Sequence, residues 1–200
     1  MAPNRTEDLA TPVLLEEKKA ILMSDVDGAQ LDNIDLKAVL GSRERGLIIH
    51  KLIEEILTGE TEETISALTA RAGVLIRALG RPIADDPALG LAPVELANCV
   101  VRVFELPEIV ALRPSLKPEF PVYASTATGA LELVSAGVVD AITFFPDGTP
   151  EVIVDWKSDV DPSVETIEHY RAQVRAYLDA TKAEQGLIVL VSTGGVVQVN

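Results

Sequence analysis

The stretch "VIVDWKSD", residues 152–159, decides the fold. Three β-branched residues, Val152, Ile153 and Val154, open it, and such a short apolar run reads as a buried strand. Successive side chains of a strand alternate between faces, so Asp155 and Lys157 point one way and Trp156 the other. A buried strand ending on a carboxylate and an ammonium is either an ion pair at a strand end or the start of a site. The neighbouring segments distinguish the two.

Just upstream, "GVVDAITFF" (137–145) is a second apolar run with one acid, Asp140, inside it. The intervening "PDGTP" (146–150) has the Asp-Gly pair of a tight hairpin turn, which predicts that the two runs pair and that Asp140 lies near Asp155. Two ionised carboxylates held together on a half-buried sheet repel each other, and each pays for desolvation. A divalent cation relieves both costs. An oxygen-rich site suits Mg²⁺ or Mn²⁺ better than a closed zinc cage. Lys157 then supplies what a carboxylate does not: positive charge beside a phosphate or a handle on the attacking water.

Outward from this centre the chain divides by period. From Ser42, "SRERGLIIHKLIEEILTG" (42–59) sets Leu47, Ile48, Leu52, Ile53, Ile56 and Leu57 on a helical stripe that stops at Gly59. Helices are predicted over 61–79 and 93–104, separated by the turn-rich "GRPIADDPALG" (80–90). After the proline-punctuated 105–121, short strands are predicted in "FPVYAST" (120–126), "AGVVDAITFF" (136–145) and "PEVIVDWKS" (150–158). A helix over about 163–184 and two strands, "GLIVLVST" (186–193) and "VVQVN" (196–200), close the chain. The expected fold class is α/β, a small mixed β-sheet flanked by α-helices. Residues 1–40 carry no clean period and read as an N-terminal arm or linker, leaving 41–200 as the domain.

Composition narrows the function classes. The 200 residues are 48% hydrophobic and only 4% aromatic, which fits a mostly aliphatic core. One cysteine, Cys99, excludes a disulfide framework or a four-cysteine metal site within this chain, and its apolar surroundings assign it a buried packing role. No signal peptide and no membrane-spanning run is legible, so a cytoplasmic location without membrane contact is expected. The net charge of −14 is unfavourable for unaided binding to a phosphate backbone. Seven carboxylates lie between Asp147 and Glu168 against one lysine; most of them read as a solvated acidic face, with Asp159 and Asp161 as bystanders.

Four short motifs occur in order: "RGLIIHKLIEEIL" with His50, "GVVD" with Asp140, "VDWKS" with Asp155 and Lys157, and "YRAQVRAY" with Gln173 and Tyr177. Together they resemble the PD-(D/E)XK nucleases, and within them the RecB-type nuclease domain of helicase-nucleases, over roughly residues 42–195. Each motif alone is weak; the ordered set is strong. The resemblance implies a restriction-endonuclease-like fold. It makes His50, Asp140, Asp155 and the Trp156 backbone carbonyl the metal ligands, for Mg²⁺ or Mn²⁺. Lys157 becomes the catalytic lysine, and Gln173 and Tyr177 the supporting pair that completes the catalytic set. Glu119 is a secondary candidate, since an exposed strand-edge glutamate explains it equally well.

The resemblance further implies a deoxyribonuclease, an exonuclease acting on single-stranded DNA delivered by a helicase domain or subunit during double-strand-break repair or recombination. No phosphate-binding "GxxxxGK[ST]" loop occurs in the chain, so a motor would belong to another part of a longer chain or to a partner, or the nuclease is free-standing. Two readings of other classes stay open at the sequence level. One is a catalytically inactive nuclease-like module that guides a strand; the other is an unrelated acidic α/β interaction domain.

Overall fold

The computed structural model describes residues 43–128 and 131–200. The arm expected over residues 1–40 lies outside the described residues. Four helices come first: α1 (Arg43–Thr58), α2 (Ile65–Ala78), α3 (Pro93–Glu105) and the short α4 (Pro107–Leu112), followed by a 3₁₀ turn, Arg113–Ser115. Strands β1 (Lys117–Thr128), β2 (Leu131–Phe144) and β3 (Pro150–Lys157) follow, then α5 (Val164–Thr181), β4 (Gln185–Leu190) and β5 (Gly195–Val199).

Local chemistry sets these boundaries. Thr64 caps α2 by accepting the Ala67 N–H at 3.1 Å, and Ser163 caps α5 by accepting the Thr166 N–H at 3.2 Å. Pro93 and Pro107 occupy the first turns of α3 and α4, where no intrahelical N–H is needed. The helix predicted over 61–79 starts later because Thr64 holds an extended cap conformation. The proline-rich 105–121 also differs from expectation: it folds into α4, the 3₁₀ turn and the start of β1. β1 and β2 are longer than the short runs predicted, pairing from Lys117↔Ile142 to Thr128↔Leu131.

The five strands lie in the order β1-β2-β3-β4-β5, all antiparallel except β3 and β4. A parallel pair needs a crossover, and α5 provides it. The β2–β3 hairpin turns through Asp147-Gly148, with Gly148 at φ +87° and the Asp147 carboxylate accepting the Thr149 N–H at 2.9 Å. The register shifts once between Ile142 and Phe144, and the buried Thr143 hydroxyl repairs the gap by accepting the Val152 N–H at 3.1 Å.

Alternation along β3 assigns the layers. Val152, Val154 and Trp156 face the main core with Ile48, Leu52, Leu68, Val100 and Ile109 from α1–α4. Ile153 faces the opposite side with Val122, Val139 and Ile142, where Tyr177 and Leu178 of α5 cover it. Burying each of these aliphatic side chains stabilises the fold by about 1.5–3 kcal/mol. That is enough to hold a strand whose next residue, Asp155, carries a buried carboxyl costing several kcal/mol when ionised.

Candidate active site

The site forms where the C-terminal end of β3 meets α1 on one face and α5 on the other. His50 projects from α1, and its Nε2 is 2.9 Å from the Trp156 carbonyl oxygen. A carbonyl only accepts, so Nε2 carries a proton in this arrangement. The other ring nitrogen, Nδ1, is 3.4 Å from Asp140 Oδ1. In the imidazolium both nitrogens donate; in the neutral ring Nδ1 presents a lone pair toward the same point as the Asp140 carboxylate. Asp140 is fixed in turn, because its Oδ2 accepts the Trp156 N–H at 2.8 Å. One residue of β3 therefore orients both side chains through its backbone, while the Trp156 indole packs into the core at 2% exposure.

Glu119 completes this group. Donor atoms of His50, Glu119 and Asp140 all lie within 4.8 Å of one another. Glu119 occupies the left-handed region at φ +48°, unusual for a residue with a side chain, and it interrupts the ladder between Pro118↔Ala141 and Phe120↔Val139. The register is the same on both sides of it, so Glu119 stands directly across from Asp140. A glutamate treated as secondary on sequence grounds thus joins the acid-and-imidazole cluster, and the backbone feature that brings it there has no signature in "KPEFP".

Asp155, which the β2–β3 register sets across from Asp140 on the same face of the sheet, reaches Lys157, whose Nζ lies 2.9 Å from Asp155 Oδ2. This contact is an ion pair without an aligned hydrogen bond, so Asp155 Oδ2 is buried with a charge beside it and no directional donor. Lys157 Nζ donates instead to Gln173 Oε1 at 2.8 Å. Tyr177 donates its hydroxyl to the Val138 carbonyl at 3.2 Å and closes against Gly137, where an added Cβ would come 3.3 Å from its ring. The sequence-predicted residues are thus brought together in two adjoining groups: His50, Asp140 and the Trp156 backbone on one side, Asp155, Lys157 and Gln173 on the other, with Tyr177 anchoring α5 to β2. His169 is exposed, as expected of a surface residue.

The electrostatics follow from burial. Desolvation raises the Asp155 carboxyl, and the Asp140 charge raises it further; Lys157 and His50 oppose, and the balance leaves it at about 6. Asp140 is also desolvated, yet His50, Lys157 and the Trp156 N–H outweigh this and hold it below the usual carboxylate range. Burial pulls His50 down, but Asp140 outweighs it and the imidazole lies above its ordinary value. Two nearby carboxyls are thus driven apart in acidity, a pattern typical of functional sites.

Three residues that the sequence reading passed over support the centre. Tyr170 lays its ring 4.6 Å from Lys157 Nζ and donates its hydroxyl to Asp159 Oδ2 at 2.6 Å, so Asp159 is no bystander. Tyr170 was findable, since it precedes Gln173 by one helical turn; Asp159 lies two residues past the end of β3, where strand alternation no longer places it. The third is Arg45, 2% exposed, which donates to the Ser158 carbonyl at 2.7 Å, Ser192 Oγ at 2.9 Å and Glu95 at 2.6 Å. It ties α1 to the residue after Lys157 and so sets where His50 falls.

A cavity of about 360 Å³, lined by Asp85, Glu95, Asn98, Cys99, Arg102 and Ser192 among others, contains none of these groups. Its thiol is inert, since burial, with Glu95 beside it, pushes the Cys99 pKa up to about 12. The cluster of His50, Glu119, Asp140, Asp155 and Lys157 lies instead at the β3 end.

The donor set fits a hard divalent cation. Carboxylate and carbonyl oxygens dominate and one imidazole joins them, with donor atoms of His50, Glu119 and Asp140 within 4.8 Å of one another. The buried Asp155 oxygen that lacks an aligned donor points to a group the side chains alone do not satisfy.

Comparison with known proteins gives the same direction. No curated protein matches the sequence. A solved structure titled "Crystal structure of SSO0001" aligns over 97% of this chain and 77% of that chain at 12% identity and a TM-score of 0.38, a likeness that carries no argument. The family model of the PD-(D/E)XK nuclease superfamily matches residues 26–197, and a match over that share of the chain, together with the five-stranded mixed sheet and its acid–lysine strand, shows that the protein belongs to this superfamily.

Proposed function

We propose that the chain is a metal-dependent deoxyribonuclease that hydrolyses phosphodiester bonds, an exonuclease of the RecB type acting on single strands delivered by a helicase. The observation that carries the reading is Lys157, paired with Asp155 at 2.9 Å and donating to Gln173 at 2.8 Å beside the His50–Glu119–Asp140 cluster. His50, Asp140, Asp155 and the Trp156 carbonyl, with Glu119, would hold Mg²⁺ or Mn²⁺. When bound, such an ion acidifies water and offsets charge on a phosphate oxygen. Lys157 directs its remaining N–H groups at the attacked phosphate, neutralising charge that builds there and orienting the incoming water. Gln173 fixes that ammonium by accepting from it. Tyr177 holds α5 against β2 through the Val138 carbonyl.

Delivery by a motor is supported by the acidic balance and by the ordered RecB-like motifs. A chain of net charge −14 gains little from the phosphate backbone on its own. Tethering to a translocating domain or subunit substitutes local concentration for affinity.

The test is degradation of end-labelled single-stranded DNA in Mg²⁺ or Mn²⁺ by wild type, Asp155→Ala and Lys157→Ala. Each variant is expected to lose at least about 10²-fold in rate. Equal degradation by all three rejects the site. Wild-type Mn²⁺ binding without turnover would support the inactive, strand-guiding alternative, and strong salt-insensitive DNA affinity would contradict the delivery argument.

A further inference from the structure

On α5, Tyr170, Gln173 and Tyr177 form one stripe, spaced three and four residues apart. Beneath it lie Asp155 and Lys157 at the end of β3 and Asp159 two residues beyond it. Two contacts join them, Tyr170 with Asp159 and Gln173 with Lys157, while Tyr177 donates to the Val138 carbonyl of β2. Resting on the nuclease reading, we propose that Tyr170 is a positioning residue for the reaction: its ring, anchored by Asp159, walls in the Lys157 ammonium and holds it on the phosphate.

Lysine is a point charge on a flexible four-carbon stem, and two partners on one side leave it free to swing. Asp155 and Gln173 contact Lys157 Nζ at 2.9 and 2.8 Å, and the Tyr170 ring covers it at 4.6 Å from the centroid. A cation is attracted to the ring face, so the wall also binds what it confines. The ring cannot turn freely, because its hydroxyl donates to Asp159 at 2.6 Å. Asp159 follows Ser158, whose carbonyl accepts from buried Arg45 at 2.7 Å and from Ser192 at 2.7 Å. The support therefore runs from the core through Ser158 and Asp159 to the ring and then to the lysine.

The experiment combines single-strand hydrolysis at saturating Mn²⁺ with the NMR shift of the Lys157 ε-methylene, in wild type, Tyr170→Leu, Tyr170→Phe and Asp159→Asn. A ring over the ammonium moves that methylene upfield in wild type and Tyr170→Phe, and the shift disappears in Tyr170→Leu. Tyr170→Leu is expected to lower kcat by about 10–10²-fold with KM and Mn²⁺ affinity within about twofold, as misplacement of a catalytic group does. Tyr170→Phe, which keeps the ring but loses the Asp159 anchor, is expected to lower kcat only about threefold, and Asp159→Asn, whose amide oxygen can still accept from the hydroxyl, by less than that. An active wild type with unchanged kcat in Tyr170→Leu overturns the positioning role alone, as does a missing upfield shift. An inactive wild type with the shift present overturns the nuclease reading and the catalytic role with it. If Tyr170→Leu does not fold, Tyr170→Phe carries the test, because it removes the anchor and keeps the packing, and a kcat equal to that of wild type then overturns the proposal.

Discussion

Asp155 and Lys157, two residues apart on β3 and 4% and 16% exposed, form an ion pair at 2.9 Å, yet the pair does not make Asp155 a comfortable anion. Burial and the Asp140 charge outweigh the ammonium and leave the carboxyl at about 6. At neutral pH the metal-free protein therefore holds a charge it would be more stable without, the usual condition of a site kept for function.

Replacing Asp155 with Asn is accordingly expected to stabilise the metal-free fold while abolishing metal binding. The folded carboxyl titrates at about 6, against about 3.9 for a free one; a gap of roughly two units corresponds to about 3 kcal/mol of destabilisation above pH 6. That penalty fades as pH falls through 6 toward 4, since the folded state then takes up the proton first. Melting in EDTA at pH 7.5 should show Asp155→Asn higher by roughly 6–12 °C, with the gap shrinking at pH 4.5. A lower melting temperature for the variant at pH 7.5 would sink the idea.

Metal binding should itself depend on pH. Asp155 is raised to about 6 and His50 lies above its ordinary value, whereas Asp140 is held low and stays ionised. A cation must displace the protons of the first two, so its affinity falls as the solution is acidified. The stability contribution has the opposite slope: for both raised groups the metal-free fold is favoured in mild acid and loses that benefit as pH rises through their folded pKa values. Mn²⁺ titration by calorimetry is expected to show affinity at pH 5.5 at least about tenfold weaker than at pH 7.5. Buffers of different ionisation enthalpy should reveal proton release, and finding none would remove His50 and Asp155 from the binding event.

What the sequence made legible follows from periodicity and alternation. Val152–Val154 announce a buried strand, Asp147-Gly148 announces the hairpin, and together they bring Asp140 beside Asp155 before any coordinates are seen. Gln173 and Tyr177 fall on one helix face for the same reason. Glu119 could not be placed this way, because its position across from Asp140 follows from the β1–β2 register, and the proline-flanked sequence announces neither that register nor the left-handed backbone at Glu119. Arg45 was equally hidden: in "SRERG" it looks like any charged residue at a helix start, and only the third dimension supplies Glu95, Ser158 and Ser192 around it.

Arg45 gives a prediction about how the site is held. Its guanidinium pairs with Glu95 at 2.6 Å and donates to the Ser158 carbonyl, at 2% exposure. Glu95 is 23% exposed and can be rehydrated, so Arg45→Ala is expected to cost about 1–3 kcal/mol, through lost hydrogen bonds and packing rather than a stranded buried charge. In a domain of this size that lowers the melting temperature by roughly 2–12 °C. His50 lies on the same helix, and its distance to the Trp156 carbonyl depends on α1 staying tied to Ser158. Mn²⁺ affinity should therefore fall along with stability, even below the shifted melting range. Unchanged affinity in folded Arg45→Ala would show that α1 is positioned by its apolar contacts alone.

The last prediction concerns the other helix. Gly186 on β4 lies directly under Val174 of α5, so close that an added Cβ would meet Val174 Cγ1 far inside contact distance, with Leu178 Cδ1 and Val199 Cβ 3.5 Å away on the flanks. Val174 is fully buried and adjoins Gln173, whose Oε1 accepts from Lys157. A methyl group at position 186 has only one way to be accommodated: α5 lifts off the sheet and carries Gln173 away from the lysine. Gly186→Ala should cost about 1–3 kcal/mol by overpacking and, on the nuclease reading, reduce kcat more than KM. Val174→Ala removes the atoms that clash, so the double variant is expected to be more stable than the sum of the two single losses by at least about 1 kcal/mol, a coupling that contacting residues show and distant ones do not. Hydrolysis rates should recover in parallel with stability. Additive losses, or recovery of stability without recovery of rate, would mean that the seat of α5 on β4 does not govern the Gln173–Lys157 contact.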